Sequence, residues 1–197
     1  MGSIIISLPL WLSIPGIIIG ILILSFLPYF YIRSSGKQKR HKRNVSNGEK
    51  IILKLKSFKG EFKNQRILTY LRKINPYVFE ELVLTALEQK NHIIHRNNSY
   101  SGDGGIDGIV FKANKQFLIQ VKRYQGNIKS SHLRDFNNLI QQKGANGGYF
   151  IHTGKTSAKS YQNFKGTSIE IISGQKLIDL ILYERPILVT QHHSKEL

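Results

Sequence analysis

The chain has 197 residues and carries 29 Lys and Arg against 12 Asp and Glu, which gives a formal net charge of +17 at neutral pH. Its length suits one compact domain with an appended segment. The absence of cysteine excludes a disulfide scaffold, a Cys-ligated zinc site and a thiol nucleophile. The large positive charge indicates a polyanionic partner, either nucleic acid or an acidic membrane face.

The N-terminal segment is apolar, and residues 1–32 contain no charged side chain. The stretch Ile4–Ile32 is rich in Ile and Leu, and about 20 apolar residues suffice to span a bilayer once. Aromatic residues lie near both of its ends, as at the two interfaces of a membrane. We therefore predict that residues 1–32 form a single-pass transmembrane anchor, with its regular helix over Pro15–Tyr31.

Six Lys or Arg follow this segment between Arg33 and Arg43. The positive-inside rule places that side in the cytoplasm, so we expect an inner-membrane protein with a cytoplasmic C-terminal domain. A cleaved signal peptide is the alternative, but no basic residue precedes the apolar run and no small-residue cleavage site follows it.

Residues 33–64 are predicted to be a basic juxtamembrane linker. The interval 33–66 holds twelve Lys or Arg and two Glu, and Ser, Gly and Asn up to Gly48 indicate a solvated chain. Apolar residues return over Glu49–Phe58, where a short helix is an option. The cations are suited to anionic lipid headgroups and also to DNA phosphates, and both roles stay open.

Residues 65–197 are predicted to fold as one α/β domain. Asn75 and Pro76 suit the start of a helix, whose apolar face follows helical spacing from Phe79 onwards. Short apolar strands then alternate with helices, which favours a mixed central sheet flanked by helices on both faces. The predicted strands are His92–Arg96, Ile106–Phe111, Gln116–Tyr124, Gly147–Thr153 and Ser168–Ser173, and the predicted later helices begin near Ser130, Ser157 and Gln175.

Candidate catalytic residues lie between Glu80 and Lys122. Gln120 and Lys122 alternate with apolar residues and so face one side of their strand. A hairpin with its turn at Ala113–Lys115 would bring Asp107 beside Gln120. Glu80 lies at the edge of the apolar helix face and can reach the helix–sheet seam, whereas the next residue, Glu81, is expected to point to solvent.

These groups suggest a site for Mg²⁺, a cation that prefers oxygen ligands. Asp107, the Gln120 side-chain oxygen and the backbone carbonyl of Val121 are the predicted ligands. Lys122 is placed to orient or deprotonate an attacking water and to stabilise charge on a phosphate.

The same residues resemble a known family, the catalytic domain of Mrr-type restriction endonucleases. The resemblance rests on Phe79-Glu80, on Ser101–Gly108 and on Gln120–Tyr124, and it continues through Gly148–Gly154 and Ile169–Leu177. It covers about Pro76–Leu182.

This family has the PD-(D/E)xK nuclease fold, here with glutamine in place of the usual acid. The resemblance implies magnesium-dependent cleavage of double-stranded DNA, with Asp107 and Gln120 as metal ligands and Lys122 as the catalytic lysine. Glu80 matches the helix acid that assists the metal. Asp103 matches a loop aspartate with a structural role, and the glycines beside it would supply unusual backbone angles.

The DNA-facing side is expected to carry basic side chains near this site, with His132 and His152 also close by in exposed positions. The basic candidates are Arg123, Lys129, Arg134, Lys155 and Lys159. No segment resembles a sequence-reading domain, so largely nonspecific phosphate contacts are expected.

The leading interpretation is a membrane-anchored DNA endonuclease that acts in defence against foreign DNA. Cutting both strands with one site per chain favours a homodimer or two sequential nicks. Two alternatives remain: a catalytically silent membrane tether for DNA, and a junction or repair nuclease of the same fold.

Overall fold

The computed structural model describes residues 14–97 and 105–183. Contacts divide the chain into two compact units, residues 1–42 and 43–197. The helices and strands of the described residues are α1 (Ile14–Lys56), α2 (Lys63–Leu71), α3 (Pro76–Glu88), β1 (Ile93–Arg96), β2 (Gly108–Lys112), β3 (Lys115–Lys122), α4 (Ser130–Gln142), β4 (Gly147–His152), α5 (Ala158–Phe164), β5 (Ile169–Ile172) and α6 (Gly174–Leu182).

The five strands form one mixed sheet in the order β1-β2-β3-β4-β5. The first three strands are antiparallel, and β3, β4 and β5 are parallel because α4 and α5 carry the chain back between them. The β2–β3 hairpin pairs Lys112 with Lys115. Its turn residues Ala113 and Asn114 have φ of 46° and 59°, the left-handed pair that a two-residue hairpin requires. The predicted mixed sheet and its hairpin are confirmed.

The sheet is covered on both faces, also as predicted. One face carries Ile119 and Val121 of β3, which belong to a core with buried residues of α1, α2, α3 and α6. The other face carries Leu118 and Phe150, which belong to a second core with the buried face of α4. Alternating side chains of one strand therefore belong to two separate cores.

Helix α3 is the most deeply buried helix, and it carries Glu80. Its start is as predicted, because the Asn75 side chain accepts a hydrogen bond from the Tyr77 N–H (3.0 Å) and Pro76 occupies the first helical position. Almost every residue from Val78 to Leu87 is buried, since the sheet lies on one side of α3 and other helices lie on the others.

The segment predicted as a solvated linker is helical up to Lys56. Asn44 and Gly48 are buried, and a Cβ on Gly48 would lie 3.0 Å from the Leu82 backbone of α3. Ile52 and Leu55 continue this contact into the core. No proline lies between Tyr29 and Asn75, and the Lys, Arg and Gln residues of this stretch favour helix, so its polar residues do not end α1. The short helix α2 was also not predicted.

The predicted membrane anchor lies partly outside the described residues, which begin at position 14. Within residues 14–42, the side chains of Ile18 to Leu24 that the structure describes are largely exposed. Across the described parts of the chain, no helix has both the length and the continuous apolar character needed to cross a membrane.

Gly147 opens β4 at a point where the backbone of a neighbouring segment leaves no room for a side chain. A Cβ there would lie 2.6 Å from the Ser168 carbonyl oxygen. We expect Gly147→Ala to lower the free energy of unfolding by about 1–3 kcal/mol, as overpacking typically does. Gly126→Ala, at a position with no atom within 4 Å of the added Cβ, should leave it nearly unchanged. Chemical denaturation followed by circular dichroism would compare the two, and equal stabilities would contradict the packing described.

Candidate active site

The candidate site lies at the end of the sheet where β3 extends beyond β2. The last β2–β3 pair is Gly108 with Ile119. The next residue, Asp107, donates its N–H to the Ile119 carbonyl (2.9 Å), and its Oδ2 accepts a hydrogen bond from the Val121 N–H (2.6 Å). The Asp107 carboxylate thus takes the place of a β2 backbone group. Because the N–H and C=O of one strand residue point to the same neighbour, the Val121 carbonyl lies on the Asp107 side of β3.

Gln120 lies opposite Asp107 in this register and is buried. Its Nε2 donates to the Gly105 carbonyl (2.7 Å), which leaves its Oε1 as the atom free to bind a cation. Gly105 has a φ of +89°, and a Cβ there would lie 2.6 Å from Gln120 Nε2. The positive φ favours glycine at this position, and the hydrogen bond to the Gly105 carbonyl sets the orientation of the Gln120 amide.

Two carboxylates share this site. The pKa of Glu80 is raised to about 8, mainly by burial and also by the nearby Asp107 and Glu81 charges, against the opposing effect of Lys122. Burial likewise raises the pKa of Asp107 to about 7, although the Val121 N–H and Lys122 favour its ionised form. Glu80, Asp107 and Lys122 are therefore close enough to affect one another, as the sequence predicts.

Glu81 does not point to solvent, contrary to the prediction. It is 2% exposed, and its Oε2 lies 2.5 Å from Arg96 Nη1. The same guanidinium contacts Glu88 and donates to the Thr85 hydroxyl (3.1 Å). The reason is that β1 covers this side of α3 and brings an arginine that neutralises the carboxylate.

Arg96 and its neighbour Asn97 connect the two elements that carry the carboxylates. Arg96 binds α3 one residue from Glu80. Asn97 donates its N–H to the Asp107 carbonyl (3.2 Å) and its Nδ2 to the Ile106 carbonyl (3.0 Å). This junction was not predicted. Its sequence signal is the spacing of Glu81 and Glu88, which are two helical turns apart and face one side of α3.

His152 and His132 lie near the site in different environments. His152 is fully buried, not exposed as predicted, because it ends β4 beneath the loops that follow the strands. Its Nδ1 accepts from the Gly154 N–H (3.1 Å), its Nε2 contacts the Thr156 hydroxyl (3.1 Å), and burial lowers its pKa to about 4. His132 hydrogen-bonds the Tyr124 hydroxyl through Nδ1, and burial and the Lys122 charge lower its pKa.

Four of the five predicted DNA-facing cations are exposed: Lys129, Arg134, Lys155 and Lys159. Lys129 precedes α4, and Lys155 follows β4, where it forms a bridge with Asn127. The Ser130 and Ser160 hydroxyls, 3.0 Å apart, bring α4 and α5 together. The loops beyond β3 and β4 therefore gather these cations at one end of the sheet.

Arg123 differs from the other four cations because it is half-buried. Its Nη1 donates to the Arg72 carbonyl at the end of α2 (2.7 Å), and Gln125 Nε2 donates to the same carbonyl (2.6 Å). Arg72 Nε in turn donates to the Thr153 carbonyl after β4 (2.9 Å). These hydrogen bonds attach α2 to the ends of β3 and β4.

The oxygen atoms gathered at this site suit a hard divalent cation. Oxygen atoms of Glu80, Asp107, Gln120 and Val121 are the kind of ligands that Mg²⁺ prefers, and the Asp107 charge, which raises the pKa of Glu80, favours a cation near the two carboxylates. No group of three or more His, Cys, Asp or Glu with metal-binding spacing occurs among the described residues, so this set depends on its amide and carbonyl oxygens. Asp103, Gly102 and Gly104 lie outside the described residues.

Parts of this chain are similar to a known family and to a solved structure. A family model described as restriction endonuclease matches residues 71–181, which include every candidate catalytic residue. The solved structure of the DNA modification-dependent restriction endonuclease AspBHI aligns with 17% identity and a TM-score of 0.43 over 63% of this chain. The aligned part is 36% of the AspBHI chain. No curated protein matches.

The raised pKa values predict a specific dependence of stability on pH. Above about pH 5 the carboxyls of the unfolded chain are ionised, while Glu80 and Asp107 of the folded chain bind protons up to about pH 8 and 7. The folded state then holds more protons, so its free energy of unfolding falls as pH rises from about 5 to 8. His152, whose pKa is lowered from 6.5, has the opposite effect below that value, so the decline is measured above about pH 6.5.

Denaturation in EDTA at several pH values would measure this decline, and Glu80→Gln should make it shallower. Glu61→Gln removes the same charge from an exposed position and serves as the control. An unfolding free energy that stays constant or rises over this interval would contradict the raised pKa values of the two carboxyls.

Proposed function

Because the chain belongs to the restriction endonuclease family, we propose that it is a magnesium-dependent DNA endonuclease that hydrolyses phosphodiester bonds. The observation that carries this proposal is the meeting of Asp107, Gln120 and Lys122 at the end of β3, with Glu80 facing them from α3. The oxygen ligands suit cation binding, and Lys122 suits the phosphate or the attacking water.

Asp107, Gln120 Oε1, the Val121 carbonyl and Glu80 would hold the cation. A bound Mg²⁺ supplies positive charge at the phosphate and makes water more acidic. Lys122 donates to a phosphate oxygen and stabilises the charge that develops there, or orients the attacking water.

Double-stranded DNA is the proposed substrate. The exposed cations Lys129, Lys155 and Lys159 lie on the loops and helix starts beyond β3 and β4, on the same end of the sheet as Lys122, and Arg134 lies on α4. Phosphate contacts of this kind position a duplex without reading its sequence. One site per chain requires a homodimer or two successive nicks to cut both strands.

Plasmid cleavage tests the enzyme. We expect the full chain, kept in nonionic detergent, to nick or linearise supercoiled plasmid with Mg²⁺ and not with EDTA. Lys122→Ala and Asp107→Ala should each lower the rate by at least about 10²-fold, because each removes charge stabilisation or the cation site. Lys115→Ala removes a lysine from the exposed start of the same strand and should cut like the unaltered protein.

If the chain bound every DNA substrate, including modified and branched DNA, but cleaved none, the proposed nuclease activity would be contradicted. A role as a DNA tether would then be favoured. Faster cutting of branched or nicked DNA than of linear duplex would favour a junction or repair nuclease.

The proposed location is the inner membrane, with the nuclease domain in the cytoplasm. The support is in the sequence: residues 1–32 carry no charge, and six cations follow them by Arg43. Anionic lipids would then contact the basic residues beyond the anchor. An anchored nuclease would be concentrated where DNA enters the cell, which suits defence against foreign DNA.

Membrane fractionation tests the anchor. The full chain should stay in the membrane pellet after an alkaline carbonate wash. The double variant Ile19→Lys with Ile23→Lys should instead appear in the supernatant. Each lysine at the centre of a spanning helix costs about 3 kcal/mol, so the pair prevents insertion. The control Ile19→Leu with Ile23→Leu keeps the segment apolar and should remain in the pellet. Release of the unaltered protein by the wash would contradict the anchor.

A further inference from the structure

A second basic surface lies away from the catalytic carboxylates, where the end of α1 packs beside α2. It contains two adjoining depressions of about 380 and 430 Å³ that share Tyr70. The first is lined by Phe58, Arg66 and Lys73 among others, and the second by Lys50 and Lys54. We name these six residues the α1–α2 surface. None of the residues that line either depression is acidic.

Aromatic rings hold two of these cations in place. Lys54 Nζ lies 4.5 Å from the centre of the Tyr70 ring, and Arg66 Cζ lies 4.9 Å from the centre of the Phe58 ring. The two rings contact each other edge to face, with centroids 6.3 Å apart. Cations seated on rings lose less conformational freedom when they bind an anion, and their occupied ring faces are not open for base stacking.

The surface is continuous with the catalytic end of the sheet. Lys73 directly follows Arg72, whose carbonyl accepts hydrogen bonds from Arg123 and Gln125 just after β3. Arg72 Nε also reaches the Thr153 carbonyl after β4. A long polyanion on the active site would therefore meet this surface where α2 ends.

We propose that the α1–α2 surface binds the phosphate backbone of duplex DNA beyond the scissile bond. The proposal rests on the proposed nuclease function and extends it to a second contact region. Duplex DNA fits better than an anionic membrane because two of the four cations, Lys54 and Arg66, are fixed individually on rings. In addition, polar Asn47, Gln65 and Asn75 lie among the cations, and Arg72 connects the end of α2 to the nuclease site.

The test is DNA binding by the full chain in nonionic detergent with EDTA, so that cleavage does not interfere. Fluorescence anisotropy with a 30-base-pair duplex would be recorded over a range of salt concentrations. We expect Lys54→Gln with Arg66→Gln to weaken binding about tenfold or more at 0.1 M salt, and to lower the slope of log affinity against log salt by about two. Lys54→Arg with Arg66→Lys keeps both charges and should restore the binding.

The matched control is Lys115→Gln with Lys143→Gln, two exposed lysines at the opposite end of β3 and after α4. It removes the same net charge and should change the affinity less than twofold. Equal losses in both double variants would overturn the proposal, because net charge alone would then explain the binding.

Binding to lipid vesicles tests the alternative ligand, an anionic membrane. If Lys54→Gln with Arg66→Gln lost binding to phosphatidylserine vesicles while its duplex affinity was unchanged, the surface would be a lipid contact and the proposal would be wrong. Magnesium-dependent cleavage is measured in parallel. If the unaltered chain cuts DNA but Lys54→Gln with Arg66→Gln leaves the duplex affinity unchanged, only this inference is overturned. A chain that neither binds nor cuts duplex overturns the proposed function as well.

Discussion

The hydrogen bond between the Asp107 carboxylate and the Val121 N–H is the contact on which the candidate site depends. Strand β2 begins only at Gly108, so the last part of β3 lacks a backbone partner on that edge. Asp107 fills the gap with its side chain, at 2.6 Å. A carboxylate is thereby held beside the Val121 carbonyl and opposite Gln120. If β2 began earlier in the chain, its backbone would pair with the Val121 N–H, and the Asp107 carboxylate would not be held at this position.

A partly buried ion cluster on the other side of α3 helps to fix the position of the helix that carries Glu80. Arg96 contacts Glu81 and Glu88, and Asn97 donates to the Asp107 carbonyl. Burying a charge such as that of Glu81 is costly unless it has a partner, and here one guanidinium serves Glu81, the partly exposed Glu88 and a threonine hydroxyl. The cluster connects α3, β1 and the segment before β2. It also leaves Glu81 close enough to raise the pKa of Glu80.

Much of the fold and site was predictable because it follows from local patterns. Alternation along β3 places Gln120 and Lys122 on one face, and the two-residue turn at Ala113 and Asn114 sets the hairpin register that brings Asp107 opposite Gln120. The start of α3 follows from its asparagine cap and proline. The prediction failed where a distant element decides the environment. Glu81 and His152 were both expected at the surface, and β1 and the loops after β4 cover them.

The sequence by itself determined the alternation of helices and strands, the charge of the chain, the family and the order of the candidate catalytic residues. These properties depend on residues close together in the chain or on patterns of residue type. Only the tertiary structure decided that Arg96 neutralises Glu81, that α1 remains helical to Lys56 and packs on α3 through Gly48, and that Arg72 joins α2 to the ends of β3 and β4. The physical reason is that burial and ion pairing depend on which distant segments meet.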